Sequence, residues 1–147
     1  MMKIEDILSL GDVYVGVGAP DKTRLLSDLC TRAAAAVSLD SALVAREVLK
    51  REALGSTGLG RGIAIPHARV LGLNKPFGLL ALLKRPLDFE AIDGAPVDIV
   101  FLLLQPAAAQ SDLNALAAVS RALREDERLD RLREAKTSAD LYRAIAS

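Results

Sequence analysis

The sequence predicts a single α/β domain: a mixed β-sheet with helices packed on both faces. Two stretches, Phe77 to Leu83 and Val97 to Leu104, are almost unbroken apolar runs of strand length, the pattern of central strands covered from both sides. Segments of helical period precede and follow them. The 147 residues contain no internal repeat, low-complexity linker or change of composition, so residues 1–147 read as one domain long enough to bury a core.

Taken in order, Tyr14 to Val17 is a short strand ended by Gly18-Ala19-Pro20. Asp21 then opens an amphipathic helix with Leu25, Leu29, Ala33 and Val37 on one face. Asp40 or Ser41 caps a second helix carrying Leu43, Val44, Val48 and Leu49, which ends at the Gly55 cluster. Ile63-Ala64-Ile65 is a short strand, and Pro66 biases Ile65 towards extended geometry, so His67 lies at or just past its end. If the extended chain continues, the period of two puts Ile63, Ile65, His67 and Arg69 on one face. Between the two apolar runs, Lys84-Arg85-Pro86 and Asp93-Gly94-Ala95-Pro96 read as turns around a short edge strand at Leu87 to Phe89. Beyond Pro106 the chain is helical: Leu113, Leu116, Ala117, Ser120 and Leu123 share a stripe, and shorter helices run from Asp126 to Ala135 and from Ser138 to Ala146.

Composition excludes several functions. With 51% apolar and 26% charged residues the chain is an ordinary globular sequence and not a disordered one. Nineteen basic residues balance nineteen acidic ones, without a basic stripe, which argues against nucleic acid as a partner. Glu5 and Asp6 interrupt the amino terminus where a secretory peptide needs an apolar stretch. The longest apolar run, Ile99 to Leu104, is far short of the roughly 20 residues that span a bilayer. A cytoplasmic protein without membrane insertion is expected. Cys30, the only cysteine, sits in an apolar helical pattern and reads as a buried structural thiol.

Chemistry points to the only histidine, His67, at the end of the run Gly55-Ser56-Thr57-Gly58-Leu59-Gly60-Arg61-Gly62-Ile63-Ala64-Ile65-Pro66-His67. Imidazole keeps a neutral nitrogen lone pair near neutral pH, fit for a nucleophile, base or ligand. Gly55, Gly58, Gly60 and Gly62, with Ser56 and Thr57, form a loop whose backbone N–H groups suit a phosphoryl anion. Arg51, Arg61 and Arg69 flank it; Arg61 and Arg69 fit solvated surface charges equally well. No Gly-Lys-Ser/Thr ending makes it a nucleotide loop, and the glycine spacing is not that of a dinucleotide fingerprint. One histidine and one cysteine give no clustered ligand spacing, so neither metal nor cofactor is expected.

The segments Arg51 to Gly58 and Gly62 to His67, with Asp93-Gly94-Ala95-Pro96-Val97 and the carboxy-terminal Leu129, Leu132, Arg133 and Asp140-Leu141-Tyr142, strongly resemble the enzyme IIA domain of the fructose/mannitol class of the bacterial sugar phosphotransferase system. The likeness is greatest to the stand-alone nitrogen-regulatory branch. This resemblance implies a phosphohistidine carrier, not a stand-alone turnover enzyme. His67 would take phosphate on Nε2 from a small histidine-containing phosphocarrier protein, and Arg51 would be the arginine near the phosphoryl group. Regulatory target proteins or a IIB component would be further partners, docking on an apolar rim for which Leu59 and Ile65 are candidates.

Many members of that family carry a second active-site histidine where this chain has Asp112. Ser111 or Asp112 also makes a good N-cap for the helix that follows. A carboxylate close to His67 would oppose a phosphoryl dianion by roughly 4 kcal/mol at 4 Å and an effective dielectric near 20. The alternative to a carrier is therefore an interaction module that binds targets without efficient phosphotransfer.

Overall fold

A computed structural model describes residues 2–108 and 113–147. The two apolar runs form its longest central pair of strands, β5 (Phe77–Leu87) and β6 (Val97–Pro106), antiparallel with Phe77 opposite Leu104 and Leu82 opposite Ile99. On the far edge of β5 lies β1 (Leu8–Val17), parallel to it. The other edge of β6 is shared by two short parallel strands in succession, β3 (Ile63–Ala64) and β4 (His67–Val70). An outermost strand, β2 (Gly58–Gly60), pairs antiparallel with β3 and completes the mixed six-stranded sheet.

Helices cover both faces, as expected. On one side α1 (Lys22–Val37) and α2 (Ser41–Ala53) pack Leu25, Leu29, Val44 and Val48 against Leu79, Ala81, Val100, Leu102 and Leu104. On the other, α3 (Leu113–Ala122), α4 (Asp126–Glu134) and α5 (Ser138–Ala146) cover Leu80, Leu82, Ile99, Phe101 and Leu103. The period of two thus divides β6 between two cores, which is why its sequence is apolar throughout. Asp21, where the sequence places the start of the helical pattern, is the N-cap of α1 and accepts from Arg24 N at 2.8 Å; of the two caps expected for α2 the role falls to Asp40, through Ala42 N at 3.1 Å. Cys30 is buried, and the loss of hydration pushes its thiol up to about 12.

Three expectations need correction. β1 begins at Leu8 and not near Tyr14, with an irregularity between Leu8 and Val13 that absorbs Gly11 and Asp12. There is no separate strand at Leu87 to Phe89: β5 continues through Lys84, Arg85 and Pro86, shifts register, and Leu87 still pairs with Val97. Phe89 is fully buried under α1 and α2. The Gly58-Leu59-Gly60 part of the expected loop is strand β2. Ser111 and Asp112 lie outside the described residues.

Candidate functional site

The segment between α2 and β4 is organised by one buried carboxylate. Glu52, in the last turn of α2, has a side chain only 6% exposed, and it accepts hydrogen bonds from Thr57 N at 2.8 Å and Thr57 Oγ1 at 2.5 Å. Lys22 of α1 completes the group with its Nζ 2.8 Å from Oε2, while also donating to the Phe89 carbonyl at 3.2 Å. Charge, donors and acceptor are matched, as a buried ion needs. Thr57 in turn holds the next layer, its carbonyl accepting from Ile65 N at 3.1 Å. Ser56 bridges the Phe89 carbonyl and Gly58 N.

Gly60, Arg61 and Gly62 then take positive φ values of 97°, 57° and 80°, a reversal that explains glycine on either side of Arg61. Asp93 braces this turn, accepting from Arg61 N and Ala95 N at 3.0 Å each. These backbone donors, Ala95 first and Arg61 second, hold the Asp93 carboxyl below its usual range. A lowered pKa in the folded state means that the stabilisation is complete above the ordinary carboxyl value of about 4 and disappears as pH falls through the depressed one. Asp93→Asn is therefore expected to lower the urea midpoint at pH 7, with the gap to wild type closing below about pH 4. A gap that persists unchanged at low pH would contradict this.

His67 opens β4, opposite Leu103 of β6. Ala68 and Val70 face the α1–α2 core, so His67 and Arg69 point to the opposite side, the side on which Ile63 and Ile65 are buried. The alternation expected from the sequence is kept across Pro66. The imidazole Nδ1 lies 2.8 Å from the Ile65 carbonyl oxygen. A carbonyl only accepts, so Nδ1 carries the proton and the neutral ring has its lone pair on Nε2.

The half-buried ring lines a hollow of about 380 Å³. From α2 come Glu47, Lys50, Arg51 and Leu54; from the sheet Ala68, Arg69 and Gln105; from α3 Leu116. On the α2 wall Lys50 and Arg51 outnumber Glu47, so that side of the hollow favours anions. Arg51 Nη1 donates to the Gly55 carbonyl at 2.8 Å, which fixes the guanidinium at the end of α2 and leaves further N–H groups of its fork for a ligand.

The family model described as phosphoenolpyruvate-dependent sugar phosphotransferase system, EIIA 2, matches residues 6–147. This chain belongs to that IIA family. Within it, the chain is 39% identical to the nitrogen regulatory protein of Bradyrhizobium diazoefficiens over 146 residues, covering 99% of this chain and 95% of that one. The crystal structure of the nitrogen regulatory protein IIA-Ntr from Neisseria meningitidis superposes with a TM-score of 0.90 at 30% identity, covering 97% and 98% of the two chains. The IIA subunit in the complex of mannitol IIA with phosphorylated IIB from Escherichia coli shares the fold, with a TM-score of 0.79 at 17% identity over 95% and 99% of the chains. The relatives place this IIA domain in the nitrogen-regulatory branch.

In this IIA domain His67, Arg51 and Arg69 come together at one hollow. Gly55, Ser56, Thr57, Gly58, Gly60 and Gly62 do not line it. The amides of Thr57, Gly58 and Arg61 are engaged by Glu52, Ser56 and Asp93, and Gly60 is paired with Ile63 in β2–β3. Arg61 turns away, binding Asp126 and the carbonyls of Leu123 and Arg124 at the end of α3. Of the two rim candidates, Ile65 is core and Leu59 is exposed away from the hollow. Lys50, Leu54, Gln105 and Leu116 were not singled out by the sequence. Gln105 alone left a signal: it is a polar residue breaking the end of the Val97 to Leu104 apolar run. No helix of the described residues is long and apolar enough to cross a membrane.

Proposed function

We propose that this IIA domain is a phosphoryl carrier acting mainly in cytoplasmic regulation, with residues 1–147 working as one unit. His67 takes a phosphoryl group on Nε2 from the phosphohistidine of a small histidine-containing phosphocarrier protein. What supports this most is the hydrogen bond from His67 Nδ1 to the Ile65 carbonyl, which leaves Nε2 as the nucleophilic nitrogen beside a basic hollow.

In the step, the P–N bond to the donor imidazole breaks as a bond to Nε2 forms, and no proton has to leave the attacking nitrogen. Nδ1–H stays on the ring and continues to donate to Ile65 O, stabilising the positive charge that the phosphorylated imidazole acquires. Arg51 meets the charge on the equatorial oxygens. Such transfers need positioning and electrostatics and little else. The glycine segment, with its amides engaged internally, serves to hold Ile65 and so His67 in place. Leu54, 82% exposed at the rim, offers an apolar contact to the docking phosphocarrier, to a regulatory target, or to a IIB component of the kind seen with mannitol IIA.

Incubation with phosphoenolpyruvate, enzyme I and the phosphocarrier should add one acid-labile phosphate to the wild type and none to His67→Ala. No gain in either protein, with the phosphocarrier itself phosphorylated, would overturn the carrier and favour a binding module in which Asp112 opposes the phosphoryl charge.

A further inference from the structure

Among the described residues three polar or charged side chains are buried: Glu52, Thr57 and Gln105. Glu52 and Thr57 satisfy each other, with Lys22 as the counter-charge. Gln105 does not fit that pattern. It is 6% exposed, and among the described residues its Oε1 is buried and accepts no hydrogen bond. Folded proteins rarely tolerate such a group without a use for it, because an apolar residue of the same shape would be more stable there. Its neighbours on β6, Leu102, Leu103 and Leu104, show that apolar side chains suit this strand.

Position suggests the use. Ile99, Phe101 and Leu103 face the α3–α5 side, so alternation carries Gln105 to the same side of the sheet as His67 and Arg69. Gln105 stands in register with Arg69, two residues beyond the Leu103 that pairs with His67, and it lines the hollow containing His67 and Arg51. A carboxamide presents an acceptor at one end and two N–H donors at the other, and half a turn about its last side-chain bond exchanges them.

We propose that Gln105 is a ligand of the phosphoryl group on His67, its amide NH2 donating to an equatorial oxygen. This rests on the phosphocarrier reading above. During transfer the bond from phosphorus to the donor imidazole breaks and the bond to Nε2 forms, with Gln105 gaining a charge-assisted hydrogen bond and giving up no proton. Arg51 supplies charge, and Gln105 supplies direction from a side chain 6% exposed in the wall of the hollow.

The test is Gln105→Met, which keeps the length of the side chain and removes both polar atoms. A charge-assisted hydrogen bond lost from the transition state corresponds to about a ten- to hundredfold fall in kcat for phosphate uptake from the phosphorylated carrier. KM for the carrier should stay unchanged, and the thermal midpoint should be equal to or above that of wild type because an orphaned buried oxygen has gone. Slower transfer at preserved stability is not what a packing residue produces. Gln105→Glu keeps the volume and adds a charge opposed to phosphate, so it should be slower than the Met variant. Uptake by Gln105→Met within twofold of wild type would overturn the ligand role, and so would a slowing matched by a lowered midpoint together with faster uptake by Gln105→Glu. A wild type that takes up no phosphate would instead overturn the carrier reading, and this proposal with it.

Discussion

Glu52→Ala should destabilise the fold by about 3–5 kcal/mol, the range found when one partner of a buried ion pair is removed. The Lys22 side chain is 16% exposed and would keep its charge with the Phe89 carbonyl and ring beside it and, as the remaining counter-charge, the solvent-exposed Glu90 carboxylate at 4.0 Å. Thr57 would lose the acceptor for its N–H and its hydroxyl at the same time. Glu52→Gln keeps an oxygen for Thr57 N but not the counter-charge for Lys22, so its cost should be smaller. Urea unfolding of the three proteins at pH 7 measures both. A loss below about 1 kcal/mol in Glu52→Ala would mean that the buried group has no special weight, because surface substitutions already reach about 0.5 kcal/mol. The same variant should also slow phosphate uptake, since Thr57 O is what holds Ile65 N, and the Ile65 carbonyl sets the proton on His67.

Arg51→Ala should slow phosphate uptake by His67 about 10²- to 10³-fold, the usual effect of deleting one preorganised donor to a developing or transferred anion. Among the described residues the Arg51 side chain makes one hydrogen bond, to the Gly55 carbonyl, so the stability loss should stay at about 1 kcal/mol, the typical net worth of one such bond. Arg51→Lys restores a positive charge without the planar fork and should fall between alanine and wild type. Initial rates from the phosphorylated carrier decide the matter. Uptake by Arg51→Ala within about threefold of wild type would remove Arg51 from the phosphoryl site and leave Lys50 and Arg69 as the cations facing it.

The parts of the fold legible in the sequence are those whose signal is local. Val97 to Leu104 read as a central strand because both of its faces are buried, and Asp21 read as the start of a helix because the apolar face beginning at Leu25, and the Arg24 N that it caps, lie within four residues of it. β1 was read too short because Ser9, Gly11 and Asp12 break its pattern, while what makes it a strand is pairing with β5 some seventy residues later. β2 has even less local signal, since Gly-Leu-Gly carries little strand preference. A glycine is needed at position 58 because a Cβ there would come within 2.8 Å of Ala91, a contact from a distant turn.

The site divides in the same way. The sequence marked His67 as its only imidazole, just after the Ile65-Pro66 strand end, and Arg51 through the family resemblance, and both line the hollow. The glycine residues read as an anion loop because glycine suggests free amides, but Glu52, Ser56 and Asp93 occupy those donors, and only tertiary structure reveals it. Arg61 was drawn away by Asp126, a partner sixty-five positions on. Gln105 needed the sheet register, which brings a residue of β6 beside a strand that ends thirty-five residues earlier.

The most direct measurement is long-range proton–nitrogen NMR of the phosphorylated protein with 15N-labelled histidine, since His67 is the only ring to assign. Phosphate on Nε2, with Nδ1 protonated before and after transfer, is the expected result. Phosphate on Nδ1, or an unmodified His67 ring in a protein that has gained phosphate, would contradict it.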